Sequence, residues 1–153
     1  MPDTAIQPYH GGSYLMRSLE HATVADAMHP GIIFCQTDAT VRDVARLMAT
    51  HHVHCVSVMH PPQDDSNDPY VWGIISDLDL IGAGVGLGGG ESAGALAQQP
   101  IIRVKPTMAL RDACELMLTH GVSHLVVISP ERLLPVGILS SLDVAGVLAW
   151  GEA

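Results

Sequence analysis

The stretch Gly73–Asp79, GIISDLD, returns in altered form at Gly137–Asp143 as GILSSLD. This pair is the most legible part of a longer repeat, and the repeat decides the fold. Displacing the sequence by 69 residues lays Val41–Val58, VRDVARLMATHHVHCVSV, on Leu110–Val127, LRDACELMLTHGVSHLVV, with eight of eighteen positions identical. Downstream, Trp72–Leu80 (WGIISDLDL) lies on Val136–Val144 (VGILSSLDV) at a displacement of 64, so the second copy has a connecting loop five residues shorter. Self-similarity of this kind marks one supersecondary unit used twice.

Each copy carries the same succession of local signals. Thr23 opens a short helical turn, TVADAM, with Asp26 spaced to complete a capping box. IIFCQT is apolar and β-favouring, and Val41–His51 places Val41, Val44, Ala45 and Met48 at helical spacing. VHCVSVM reads as a strand, HPPQDDSNDP as a loop rich in turn formers, and YVWGII as a second strand, with a helix starting at Ser76. The second copy supplies ESAGALAQ, IIRVK, a helix over Ala109–His120, SHLVVIS, the turn PERL, LPVGIL, and a final helix through VAGVLAW. In Ala109–His120 the residues Leu110, Ala113, Cys114, Leu116, Met117 and Leu118 cover more than one stripe, so that helix is expected to be buried on two sides.

The resulting expectation is an α/β fold of the α+β kind. It has two units related by a pseudo-twofold axis, each a small β-sheet packed by two main helices. The organisation reads as an N-terminal extension over 1–22, a first unit over 23–82, a glycine-rich linker over 83–91 and a second unit over 92–150. A unit of ~60 residues is marginal alone, so the halves should share an interface.

Of 153 residues, 48% are hydrophobic and 15% charged, which suits one compact core of aliphatic side chains. Seven Lys and Arg against sixteen Asp and Glu give a net charge of −9, which repels a phosphate backbone and an anionic membrane surface. The N-terminus MPDTAIQPYHGG has neither a basic nor an apolar signal region, and the longest apolar runs are broken by Gly and Asp. These features lead us to expect a soluble, cytoplasmic protein that binds neither nucleic acid nor membrane. Cys35, Cys55 and Cys114 lack C-x-x-C spacing and read as reduced residues in or near the core.

The segment GAGVGLGGGES contains G-x-G-x-x-G at Gly84, Gly86 and Gly89. A dinucleotide fingerprint needs a strand before it; here a helix precedes it, so the segment reads as a linker or helix stop. His51, His52 and His54 cluster, but His51 and His52 fall at a helix C-terminus, where a cation complements the dipole, and no Cys, Asp or Glu stands at ligand spacing. We therefore expect no metal site. No nucleophile with an adjacent base, G-x-S-x-G, H-E-x-x-H or P-loop is present, so no catalytic residue is assigned.

The repeated motif admits two chemistries. In S-x-x-D after an apolar strand, Ser76 or Ser140 caps a helix while Asp79 or Asp143 reaches back to the cap amide. The same geometry puts a hydroxyl and free N–H groups where an anion such as phosphate can bind. A carboxylate three residues on can accept hydrogen bonds from both hydroxyls of a ribose.

The doubled order of helix, strand, helix, strand, G-h-h-S-x-x-D and helix resembles a tandem pair of cystathionine-β-synthase (CBS) domains, a Bateman module, over about Thr23 to Trp150. The resemblance implies a non-catalytic regulatory module that binds an adenosine compound, such as AMP, ADP, ATP or S-adenosylmethionine, in clefts between the units. It also implies a disc-shaped homodimer and an effector protein that reads the ligand state. Carried over by motif, Asp79 and Asp143 would hold ribose hydroxyls, and Ser76 and Ser140 would meet phosphate or sugar. Ile33 and Ile102, on the short strand entering each unit, would line adenine pockets. The family's basic residue at the start of the following strand is matched by His54 and His124, one residue out of register with each other. With seven basic residues in the chain, AMP is expected over ATP, since charge pairing carries much of a triphosphate's affinity. The acidic loop HPPQDDSNDPY makes the second cleft the better candidate. The alternative is a ligand-free dimerisation or scaffold module whose S-x-x-D motifs only cap helices.

Overall fold

The computed structural model describes residues 16–60, 70–86, 92–97, 101–131 and 134–152. Most of the N-terminal extension, the loop over 61–69, the second half of the linker (87–91), residues 98–100 and part of the turn PERL lie outside the described residues.

The first unit contributes α1 (Val24–Ala27), β1 (His29–Pro30), β2 (Phe34–Gln36), α2 (Val41–His51), β3 (Cys55–His60), β4 (Tyr70–Ser76) and α3 (Asp77–Gly86). The second repeats the order with α4 (Ala93–Leu96), β5 (Arg103–Val104), α5 (Leu110–His120), β6 (His124–Ile128), β7 (Pro135–Ser140) and α6 (Ser141–Trp150). The helix expected over Val41–His51 is found there, and the one expected to start at Ser76 uses Ser76 as its flanking residue. α3 runs on through Gly82 and Gly84 to Gly86, into what the composition marks as linker. Leu80 anchors that helix to the first core, while an added Cβ on Gly82 or Gly84 would meet nothing within 4 Å. The glycines weaken the helix without ending it.

Period-two alternation builds both sheets. On β3, Val56 and Val58 turn into a core with Val44, Met48 and Ile75. On β6, Leu125 and Val127 do the same with Leu110, Ala113, Leu139 and Val147. The opposite faces meet each other, where Met59, Val71, Ile74 and Val126 form a third cluster between the units. Burying each large aliphatic side chain contributes about 1.5–3 kcal/mol. Ser57, 1% exposed, also belongs to β3, and among the described residues its hydroxyl has no hydrogen-bond partner.

The units exchange their opening turns. The first sheet has the order β2-β3-β4, whereas the second has β1-β7-β6-β5, so β1 leaves its own unit and pairs antiparallel with β7, His29 opposite Ile138. α1 follows it: Val24 N–H donates to Met108 O at 2.9 Å and Ala25 N–H to Pro106 O at 2.9 Å. Reciprocally, in α4, Ala93 N–H donates to Ala39 O and Gly94 N–H to Thr37 O, both at 2.8 Å. The helices α2 and α5 pack on their own sheets; α5 buries Leu110, Ala113 and Met117 on that side while Leu118 stays 83% exposed, so within the described residues it is buried on one side where its apolar residues lead us to expect two. The two short opening helices pack on the other unit.

Candidate functional site

Each S-x-x-D motif lies where the last strand of a unit turns into its last helix. Ser76 ends β4 opposite Cys55, and Ser140 ends β7 opposite His124. Ser76 N–H and Oγ both donate to Asp79 Oδ2 at 2.8 Å, and Asp79 N–H donates to Ser76 Oγ at 3.3 Å. In the second unit Ser140 N–H donates to Asp143 Oδ2 at 2.8 Å, and Asp143 N–H to Ser140 Oγ at 3.2 Å. The capping role of the motif is therefore realised twice. Asp79 thus accepts two bonds from Ser76 on one oxygen, and Asp143 accepts one from Ser140.

The strand starts opposite these motifs settle the histidine register. Asp77 N–H donates to His54 O and Ser141 N–H to Ser123 O, both at 2.9 Å, so His54 corresponds to Ser123 and Cys55 to His124. The two histidines consequently have different surroundings. His54 is exposed, and its Nδ1 lies 3.1 Å from Asp77 Oδ2; this hydrogen bond holds the Asp77 carboxyl below its usual range. His124 is half-buried, with Nδ1 2.9 Å from Ser123 Oγ, and burial pushes its pKa down against the pull of Asp77 and Asp143. Cys55, at the matching position, feels the same two carboxylates and is pushed up to about 12, chiefly by burial. The strand starts and helix starts of both units thus converge in one acidic region.

Ile33 and Ile102 stand one residue before β2 and β5 rather than within them. Their carbonyls still join the sheets, accepting from Ser57 N–H and Val126 N–H at 3.0 Å. Both side chains are half-buried and pack against their unit's core. All three cysteines are free, and burial raises each thiol, Cys35 to about 11. His51 closes α2 and His52 follows it in the left-handed conformation at φ 53°, a place that Gly121 fills after α5. Among the described residues no group of three His, Cys, Asp or Glu side chains is placed to hold a metal ion. An open pocket of about 400 Å³ lies near the other end of β3, lined by Thr37, Asp38, His60, Ser92 and Gly94. It shares no residue with the motifs.

Two site residues carry no signal in the motif itself. Asp77 occupies the x position after Ser76, where the second copy has Ser141, and only the strand pairing brings it to His54. His29 arrives through the exchanged strand β1: its Nδ1 is 2.6 Å from Asp143 Oδ1, with the histidine side chain 81% exposed and the aspartate side chain 5% exposed.

Fold and motif together define a tandem pair of α+β units, each turning from its last strand into its last helix through an S-x-x-D cap. The CBS domain family model matches residues 24–86 and 93–149, most of the chain, and the protein belongs to that family as a tandem pair. Among solved structures, CBSX2 in complex with AMP is 24% identical, with a TM-score of 0.66 and coverage of 83% of this chain and 96% of that one. A CBS domain pair in complex with 5′-methylthioadenosine and S-adenosyl-L-methionine is 16% identical, with a TM-score of 0.71 and coverage of 84% and 96%. The CBS domain of a bacterial CNNM/CorC family Mg²⁺ transporter in complex with ATP is 19% identical, with a TM-score of 0.70 and coverage of 88% and 92%. These likenesses establish the fold. A homoserine O-acetyltransferase of Methanosphaerula palustris is 43% identical over 54 residues, 35% of this chain and 10% of that protein. The match thus spans a tenth of that relative's length.

Proposed function

We propose that this chain is a non-catalytic regulatory module that binds an adenosine-containing ligand at Ser76/Asp79 and Ser140/Asp143 and passes the bound state to an effector protein. The observation that carries the reading is the pair of S-x-x-D motifs, each ending a strand with its carboxylate fixed beside a helix N-terminus. Fixed carboxylates suit ribose hydroxyls, and the half-buried Ile33 and Ile102 suit an adenine. His54 and His124 stand at the strand starts where phosphate would be met. AMP is the expected ligand over ATP, because three acidic groups, Asp77, Asp79 and Asp143, oppose a polyphosphate and the local cations are histidines. The relatives bind AMP, ATP, and 5′-methylthioadenosine with S-adenosyl-L-methionine, a spread that makes the adenosine moiety the common element.

A second copy is the natural cover for the outward apolar side chains of the last helices. Leu78 and Ile81 on α3, and Leu142 and Leu148 on α6, are each at least 60% exposed, and Leu118 on α5 is 83% exposed. Such a patch on helices marks an association surface. No helix among the described residues is long and apolar enough to cross a membrane, which suits the cytoplasmic setting this reading assumes.

A scaffold reading is favoured by one observation: both aspartates already serve as caps. Calorimetric titration with AMP, ATP and S-adenosylmethionine separates the two readings, with sedimentation velocity before and after ligand. The sensor reading expects AMP binding that falls at least tenfold in the Asp79→Ala, Asp143→Ala double variant. The scaffold reading expects a dimer that binds none of the three, with the substitutions costing about 0.5–2 kcal/mol of stability per cap. Unchanged AMP affinity in the double variant would remove both aspartates from the ribose role.

A further inference from the structure

The two copies differ in sequence at a position that the repeat makes comparable. Thr23 and Ser92 precede the two opening helices at the 69-residue displacement, so His29 in the first copy answers to Gln98 in the second. Because the opening turns are exchanged, His29 serves the second unit's motif. Its backbone lies against Gly137, where an added Cβ would stand 2.5 Å from His29 O, and its ring reaches Asp143.

That contact constrains the ring. Donation from Nδ1 to Asp143 Oδ1 fixes the imidazole's orientation and leaves Nε2 on the solvent side, away from the carboxylate. A ring carrying both protons is then two donors at once, one to the aspartate and one to whatever lies outside. Asp143 by itself repels a phosphate; an imidazolium 2.6 Å away offsets that repulsion and adds a charge-assisted bond.

We propose that His29 is a ligand-binding residue of the second cleft: held by Asp143 through Nδ1, it takes the phosphate of an adenosine ligand through Nε2, so this cleft selects phosphorylated over neutral adenosines. The inference rests on the adenosine-ligand reading and adds to it a residue and a preference, since the neutral Gln98 stands at the corresponding sequence position of the other copy.

The test is titration of the full chain with AMP and with adenosine, for the wild type, His29→Gln and His29→Arg. The histidine side chain is 81% exposed, so both variants are expected to fold, which their thermal unfolding checks. The expected result is that His29→Gln weakens AMP roughly tenfold and adenosine by much less, while His29→Arg retains AMP affinity. If the glutamine variant weakened AMP and adenosine equally, or weakened neither, or if the wild type bound AMP no more tightly than adenosine, the assignment would be overturned with the nucleotide reading intact. A wild type that binds neither compound overturns both.

Discussion

At the scale of single residues, the glycine of GILSSLD is explained by a neighbour rather than by a turn. Gly137 sits in β7 under the crossing strand β1, where a Cβ would meet His29 O at 2.5 Å, Met28 Sδ at 3.1 Å and His29 C at 3.4 Å. Two of those atoms are backbone and cannot rotate away, so Gly137→Ala must push β1 off the sheet edge. A cost of about 1–3 kcal/mol is expected, the usual range for overpacking a fitted site. Gly84→Ala should act in the opposite direction. It lies inside α3 with nothing within 4 Å of an added Cβ, and a gain of about 0.5–1 kcal/mol follows from the lower backbone entropy of alanine. Urea unfolding of the two variants checks the contrast; equal effects would mean that β1 is not seated on Gly137. The motif's serines and aspartates were readable from spacing alone because a capping box is a local device. His29 was not, because its role depends on which unit β1 joins.

At the scale of elements, the helix starts form a series of capping boxes with two departures, of which α4 keeps half a box: Ser92 Oγ accepts from Ala95 N–H at 3.3 Å, but no acid stands at position 95. Thr23/Asp26, Thr40/Asp43, Ser76/Asp79 and Ser140/Asp143 are complete boxes, each with the aspartate accepting the cap residue's N–H at 2.8 to 3.1 Å. α5, the counterpart of α2, begins instead at Ala109, which has no side-chain cap bond although Asp112 stands three residues on. Ala109→Thr should rebuild the missing box and add about 1 kcal/mol. The Thr40 backbone and hydroxyl bonds hold the Asp43 carboxyl below the ordinary 3.8, which gives this box, the counterpart of the one Ala109→Thr would build, a pH signature. A carboxyl with a lowered folded value contributes stability above its unfolded value and loses it as pH falls through the folded one. The gain from Ala109→Thr should therefore be full at neutral pH and fade below about pH 4, as denaturant midpoints across that range would show. A gain that persisted in acid would point to helix propensity or packing instead of the box. Strand and helix identities were legible here for the same reason the boxes were: alternation in VHCVSV and 3.6-residue spacing in Val41–His51 are local. α3 runs into the glycine-rich stretch because glycine punctuates weakly when packing at Leu80 holds the helix.

At the scale of the whole molecule, the repeat predicted two units sharing an interface, and the structure adds that they exchange their first turns. No local period encodes that exchange, since TVADAM would present the same apolar face to either unit. Its energetic consequence is that the chain's first helix belongs to the last sheet. Val24, on α1, is fully buried and packs into the cluster of Leu110, Leu125, Val127 and Leu139, all of the second unit. Val24→Ala removes two methyl groups from that cluster and should cost roughly 1–3 kcal/mol as lost burial plus cavity. The loss should be felt first where the contact is made. Native-state hydrogen exchange is expected to accelerate at the amides of β6 and β7 at least as much as at those of β3, although Val24 precedes β3 by only thirty-odd residues and β6 by a hundred. Acceleration confined to β3 and β4 would mean that α1 stabilises its own unit in solution. The expected pattern would mean that neither unit is completed by its own stretch of sequence. A ligand seated on Asp143, beside β1, would then act on both units at once, which is the coupling the proposed regulatory role requires.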